Sequence, residues 1–229
     1  MKVCILGANG FLGRYFMSKH PDWIGITRKE LDLTDQKQTE EFFNTNYFDV
    51  VVHCAVLGGS MLVVDDANVT HNNILMFENV SRVFKGKLIY FSSGASTRGN
   101  PPTDPYGLSK WIIDKRIEHI DNTYSLRIFG CYGSGEKDIH NRGRFKTICK
   151  QEGHIVIDKD KYFDFVDIED VRKVVCDYIH GIRDDKMCDL VYKEKKLLSE
   201  WATYFGATYE IVDKSGLDQS YVSQRLKLM

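Results

Sequence analysis

Along the chain, short apolar runs alternate with longer stretches in which apolar residues return every three or four positions. Lys2–Leu6 is the first such run, and Phe11–Lys19 the first stretch with helical spacing. Strands at Trp23–Thr27, Asp49–Cys54, Lys87–Phe91 and Tyr124–Ile128 then alternate with helices at Gln36–Asn44, Asn68–Val83 and Tyr106–Ile120. A β-α-β rhythm of this kind predicts a parallel sheet wound with helices on both sides. The β-branched run Val50-Val51-Val52 suits a strand covered on both faces. Past Gly130 the rhythm loosens. Helices are expected at Arg142–Gln151, Ile168–Ile179 and Leu198–Phe205, and strands at Ile155–Ile157, Tyr162–Val166, Cys188–Tyr192 and Tyr209–Val212, before a polar helical tail. No repeat, low-complexity tract or linker intervenes. The pattern implies a larger unit over residues 1–130 and a smaller lobe over residues 131–229, partly interleaved with it.

Composition narrows the classes. A chain of 229 residues with 43% hydrophobic content can build one sizeable core beside a small lobe. Lys and Arg total 31 against 32 Asp and Glu, so charge offers no reason to expect a nucleic-acid or membrane partner. Met1–Leu6 is too short for a signal-peptide core, and no run reaches the roughly 18 apolar residues of a spanning helix. The six cysteines form no C-x-x-C pair and sit mostly in apolar runs. They read as reduced thiols of a cytoplasmic protein, with no metal site.

Gly7-Ala8-Asn9-Gly10-Phe11-Leu12-Gly13 follows the first strand and opens the first helix. Gly7 suits the tight turn, Gly10 the close approach of backbone to a pyrophosphate at the helix N-terminus, and Gly13 close helix–strand packing. This is the signature of a Rossmann-type dinucleotide site in G-x-x-G-x-x-G spacing. The second strand ends in Thr27-Arg28-Lys29, where an NAD site places an acid. The forked donors of Arg28 suit a ribose 2′-phosphate, which favours NADP(H) while leaving NAD(H) open. Asp32, in the next loop, is a candidate acceptor for the adenine amino group.

Tyr106-Gly107-Leu108-Ser109-Lys110 carries the chemistry. At i and i+4 of a helix that starts at Pro105, Tyr106 and Lys110 project from one face. A phenol with an ordinary pKa of about 10 becomes a usable proton donor and acceptor beside an ammonium. Lys110 is also placed to hold the nicotinamide ribose. Ser92-Ser93-Gly94 ends the fourth strand, at the edge where such sheets bind ligands. Ser93 is the candidate to hydrogen-bond the substrate oxygen, with Ser92 the alternate.

Together these residues resemble the extended short-chain dehydrogenase/reductase family, the nucleotide-sugar epimerases, dehydratases and reductases. The likeness includes Val52-His53-Cys54-Ala55, Leu126–Gly133 and Phe163–Val171, and so covers most of the chain. Thr27–Asp35 with Val56-Leu57-Gly58-Gly59 is most similar to the GDP-L-fucose synthase branch. The resemblance implies cofactor contacts from Gly7, Asn9, Gly10, Phe11, Leu12, Gly13, Arg28, Asp32, Leu33, Cys54, Ala55, Val56, Asn73, Tyr106 and Lys110. It implies substrate contacts from Ser93, Gly94 and Arg144. Three departures limit it. Ala95 and Arg144 fall where the fucose synthases carry their epimerising Cys and His. Gly94-Ala95 replaces the Asp-Glu of the 4,6-dehydratases, and Gly130 replaces a substrate-binding Asn.

The chemistry left is hydride transfer at a sugar carbonyl. The expected activity is NADPH-dependent reduction of a 4-keto sugar nucleotide, with Tyr106 as proton donor. The alternatives are a 4-epimerase with tightly held cofactor, and a non-catalytic NADP(H)-binding sensor or assembly protein. The family commonly pairs helices across a twofold axis. Ile74, Leu75, Phe77, Val80, Trp111, Ile112 and Ile117 offer apolar surface for a homodimer of that kind.

Overall fold

The structure is a computed structural model that describes residues 1–60, 63–137 and 144–225. Its strands there are β1 (Val3–Leu6), β2 (Ile24–Ile26), β3 (Val50–His53), β4 (Lys87–Ser93), β5 (Thr123–Ile128), β6 (Gly130–Tyr132), β7 (His154–Lys159), β8 (Tyr162–Phe163), β9 (Phe165–Asp167), β10 (Met187–Asp189), β11 (Lys196–Leu197) and β12 (Thr208–Asp213). The helices are α1 (Phe11–Lys19), α2 (Gln36–Thr45), α3 (Ala67–Val83), α4 (Pro105–Ile117), α5 (Phe145–Glu152), α6 (Ile168–Ile179) and α7 (Leu198–Tyr204).

Six strands form one parallel sheet in the order β10-β5-β4-β3-β1-β2. Side chains alternate across it, as the twofold period of a strand requires. Val3, Ile5, Val50 and Val52 pack on one side with Phe16 of α1 and Val171, Val175 and Tyr178 of α6. Cys4, Leu6, Val51, Leu88 and Tyr90 pack on the other with Phe77 and Val80 of α3 and Ile113 and Ile117 of α4. The protein is therefore a doubly wound, Rossmann-like α/β fold. The strand order reverses between β1 and β3, and ligands of such sheets sit outside the strand ends at that point.

Residues beyond 130 return to this sheet, supplying α6 to one face and β10 to one edge. The others gather around a smaller core of Tyr132, Cys149, Ile155, Ile157, Phe165, Trp201 and Phe205. Three two-stranded ladders frame it: β12–β7 and β6–β9, both parallel, and β11–β8, antiparallel.

The expected strand Tyr162–Val166 is two strands, broken at Asp164. The buried Asp164 carboxylate takes Lys195 Nζ at 2.8 Å and the Ser223 amide at 2.7 Å, so the backbone changes partners there. The expected helical tail is not helical over residues 214–225. Gly216 has φ +147°, and Tyr221 pairs its backbone with β8 instead. The expected helix Arg142–Gln151 begins outside the described residues and appears as α5. Of the apolar residues proposed for a dimer face, Phe77, Val80 and Ile117 are fully buried in the protein's own core. Leu75, Trp111 and Ile112 are half-buried and belong to none of the buried clusters. No two cysteines are bridged. Among the described residues, no helix is long and apolar enough to cross a membrane.

Candidate active site

A cleft of about 1510 Å³ runs along the C-terminal edge of the sheet. Its first wall is the turn after β1. Gly7 adopts φ +84°, and a Cβ there would lie 2.6 Å from the Ala55 amide nitrogen, because the loops after β1 and β3 nearly touch at the switch point. Only glycine meets both demands. A Cβ on Gly13 would drive into the Gly7 carbonyl, which explains the third glycine by packing. Gly10 caps α1 without a side-chain acceptor, leaving the helix entrance open to an anion. Asn9, Gly10, Phe11 and Leu12 line the cleft; Gly13 lies behind it. Arg14 braces the loop by donating to Asn9 O at 2.7 Å and Gly135 O at 3.0 Å.

Beyond β2, Arg28 lines the rim with its side chain 74% exposed, 3.4 Å from Asp32. Asp32 also accepts from the hydroxyl and amide of Thr34, at 2.7 and 3.0 Å, and those bonds hold its pKa below the usual carboxylate value. Its Oδ1 is thus committed to the turn and its Oδ2 to Arg28. Leu33, Cys54, Ala55 and Val56 line the same cleft. Asn73 does not. It is buried, and its amide clamps Leu57 through both oxygen and nitrogen, at 2.8 and 3.0 Å, and donates to Ser109 Oγ at 3.1 Å. It shapes the wall after β3 from behind.

Pro105 and the Asp104 side chain, which accepts from the Gly107 amide at 2.8 Å, start α4. Tyr106 and Lys110 follow, and both line the cleft. Lys110 is 2% exposed; its Nζ donates to Tyr90 Oη at 2.7 Å and Phe91 O at 2.8 Å and lies 5.7 Å from the Tyr106 ring centre. Burial lowers its pKa to about 7, against the pull of Asp114. Burial likewise pushes the Tyr90 hydroxyl well above its usual value. Sequence reasoning missed Tyr90; its place two residues before Ser92, on the α4 side of the sheet, was the available signal. His53 packs edge-on against Tyr90, and burial depresses its pKa to about 3, so it is neutral.

The two serines at the end of β4 differ. Ser92 Oγ is buried, lines the cleft and has no hydrogen-bond partner among the described residues. Ser93 Oγ accepts from the Ala95 amide at 3.2 Å. Gly94, expected to touch substrate, is not on the cleft wall, and a Cβ there would strike the Phe129 ring. Arg144 is on the wall. Its guanidinium lies 3.9 Å from the Phe11 ring centre and donates to Cys131 O at 3.0 Å. Phe129, Phe163, Arg98 and Tyr221 close the far side. Phe129 and Phe163 belong to the segments Leu126–Gly133 and Phe163–Val171, whereas Arg98 and Tyr221 stand in no local motif.

The model of the NAD dependent epimerase/dehydratase family matches residues 3–181. A probable UDP-arabinose 4-epimerase of Arabidopsis thaliana is 30% identical over 149 residues, 52% of this chain but only 36% of that protein. A dTDP-4-dehydrorhamnose reductase from Bacillus anthracis, solved in complex with NADP, aligns over 100% of this chain and 88% of its own, with TM-score 0.78 and 18% identity. A UDP-glucose 4-epimerase from Thermotoga maritima, solved with UDP-glucose, aligns over 96% of this chain and 89% of its own, with TM-score 0.73 and 17% identity. At such identities the structural likeness is one of fold.

Proposed function

The chain belongs to the NAD dependent epimerase/dehydratase family, and from that premise we propose that it reduces a 4-keto sugar nucleotide with NADPH. The observation that carries the reading is the ammonium of Lys110, buried beside Tyr106 in the same cleft as the glycine turn. The residues present fit a dinucleotide: the uncapped entrance of α1 and the glycine cradle suit its phosphates, Arg28 a 2′-phosphate, and the unpartnered Ser92 hydroxyl a polar group at the floor. Bound there, the cofactor supplies the hydride.

This chain's residues do the rest. Tyr106 gives its phenolic proton to the carbonyl oxygen, Ser93 donates a hydrogen bond to that oxygen, and the Lys110 ammonium favours the phenolate left behind. Residues 1–130 hold the cofactor and the lobe beyond them holds the sugar nucleotide, with Arg144 reaching across to Phe11. Reduction is preferred because Ala95 offers no proton for epimerisation at neighbouring carbons and Gly94-Ala95 carries no acid for dehydration. The 4-epimerase named among the relatives supports a second reading, in which cofactor is recycled rather than consumed. A sensor without catalysis is disfavoured by the open cleft that Tyr106 and Arg144 share.

A panel of 4-keto sugar nucleotides with NADPH, followed at the nicotinamide absorbance, separates these. Stoichiometric loss of NADPH is expected. Interconversion of the corresponding sugar nucleotides without NADPH loss would make the protein an epimerase.

The protein is also proposed to dimerise through α3 and α4, since Leu75, Trp111 and Ile112 remain half-buried beside a core that is already complete. Light scattering at micromolar concentration should give twice the chain mass, and a monomer mass would end that proposal. Its six unbridged cysteines suit the reducing cytoplasm.

A further inference from the structure

Tyr90 stands on β4 and is buried on the α4 side of the sheet, with the rings of Phe77 and His53 centred 5.3 and 5.4 Å from its own. Ring packing of this kind is served by phenylalanine as well as by tyrosine, so the hydroxyl calls for its own explanation. It accepts from Lys110 Nζ at 2.7 Å, and the ring centre lies 4.4 Å from the same nitrogen. A buried polar group is costly without a partner, and here each of two buried groups is the other's partner.

The donors of Lys110 can be counted. An ammonium has three N–H bonds and accepts nothing. One goes to Tyr90 Oη and one to Phe91 O at 2.8 Å, both on β4, and no other acceptor bonds this nitrogen among the described residues. The third is left for the cleft, which Lys110 lines together with Tyr106.

Five ionisable side chains face the ammonium. Asp114 and Tyr106 do so from α4, His53 and Cys54 from the end of β3, and Tyr90 from β4. The Asp114 carboxylate is taken up by Ser96, Ser125 and Arg127, at 2.9, 2.7 and 2.8 Å, and His53 is neutral. Burial also holds the Tyr90 phenol neutral. Its oxygen makes a charge-assisted bond to an ammonium, stronger than the bond that a phenol makes to a neutral amine. The hydroxyl therefore favours the charged form at a place where burial favours the neutral one.

We propose that Tyr90 is a positioning residue for Lys110: its hydroxyl holds the ammonium charged and turns the remaining N–H toward the cleft. What the ammonium does there rests on the reductase reading above; the hold on it does not.

Tyr90→Phe removes the hydroxyl and keeps the ring against Phe77, and two measurements on it test the proposal. In protein isotope-labelled at the lysine side-chain nitrogens, the Lys110 NMR signal is identified by its loss in Lys110→Met, and it is titrated with neither cofactor nor substrate present. The wild-type midpoint is expected at about 7. In Tyr90→Phe it should move to lower pH, by about one pH unit, the difference between a charged and a neutral hydrogen bond. An unchanged midpoint, or a move to higher pH, overturns the proposal whatever the substrate is. Fluorescence titration of NADPH gives the second readout. At pH about 7 the variant should bind up to about fivefold more weakly than the wild type, and the gap should close in acid, where Lys110 is charged in both. A gap of the same size at every pH would mean that Tyr90 serves packing alone, and overturns the proposal. If NADPH does not bind, or no keto sugar nucleotide is reduced, the reductase reading fails by itself, while the Lys110 titration still decides the role of Tyr90.

Discussion

Arg28 and Lys110 are both cations of one cleft, and the protein treats their charges in opposite ways. Arg28 stands past β2 with its side chain 74% exposed and a single carboxylate 3.4 Å away. A guanidinium in that position is charged at every working pH, and its attraction for a phosphate is screened by salt. Lys110 is 2% exposed and burial brings its pKa to about 7, so its charge is conditional on pH and on what binds above it. The rim therefore carries a permanent charge, and the floor one that a neighbour can tip. Low dielectric makes the buried cation the stronger lever on Tyr106.

The floor should break first. Tyr106→Phe removes only the hydroxyl, and turnover is expected to fall about 10²–10⁴-fold, the usual weight of a positioned acid, with NADPH affinity nearly unchanged. Wild-type turnover by this variant, on a substrate that the protein demonstrably reduces, would refute the mechanism.

Lys110→Met comes next, and should lower both kcat and NADPH affinity, since one ammonium serves Tyr106 and the ribose. Its pH dependence has a definite sign. The folded pKa of about 7 lies below the ordinary 10.5, so across that window the unfolded chain binds more protons and the stability contributed by this residue rises with pH. The ammonium itself is lost as pH passes through about 7. NADPH affinity of the wild type should therefore weaken from pH about 6 to about 9, and that of Lys110→Met should stay level. Fluorescence titration of NADPH reads both. A wild-type affinity constant over that range would remove Lys110 from cofactor binding.

At the rim the effect is smallest. Arg28→Ala should cut the preference for NADPH over NADH about tenfold or less, in proportion to one exposed charge-assisted contact. The wild-type preference should shrink as salt is raised, whereas the contribution of the buried Lys110 should not. Equal dissociation constants for the two cofactors in the wild type would show that Arg28 does not read the phosphate.

The parts of the site that could be read from the chain are those whose chemistry is local. The glycine turn is legible because positive φ, close approach and helix entry all fall within seven residues, Gly7 to Gly13. Tyr106 and Lys110 are legible because one helical turn sets them on one face. Asn73, Gly94 and Tyr221 show where such reading stops. Asn73 spends its amide on Leu57 and Ser109, Gly94 sits behind Phe129, and Tyr221 arrives from a polar tail that has no periodicity to betray it.

The sequence alone determined the doubly wound sheet, since its strands are short continuous apolar runs and its helices carry apolar residues every three or four positions, patterns that need no distant partner. It also determined the glycine turn and the Tyr106–Lys110 pair. Only the tertiary structure decided that Lys110 rests on Tyr90, that β10 completes the first sheet and α6 covers one of its faces, and that the ring of Tyr221 packs on Phe129 across 92 positions of chain. Those contacts depend on buried hydrogen bonds and aromatic packing between segments far apart in sequence. Each segment's own pattern is compatible with many partners, and the partner is chosen only when the whole core closes.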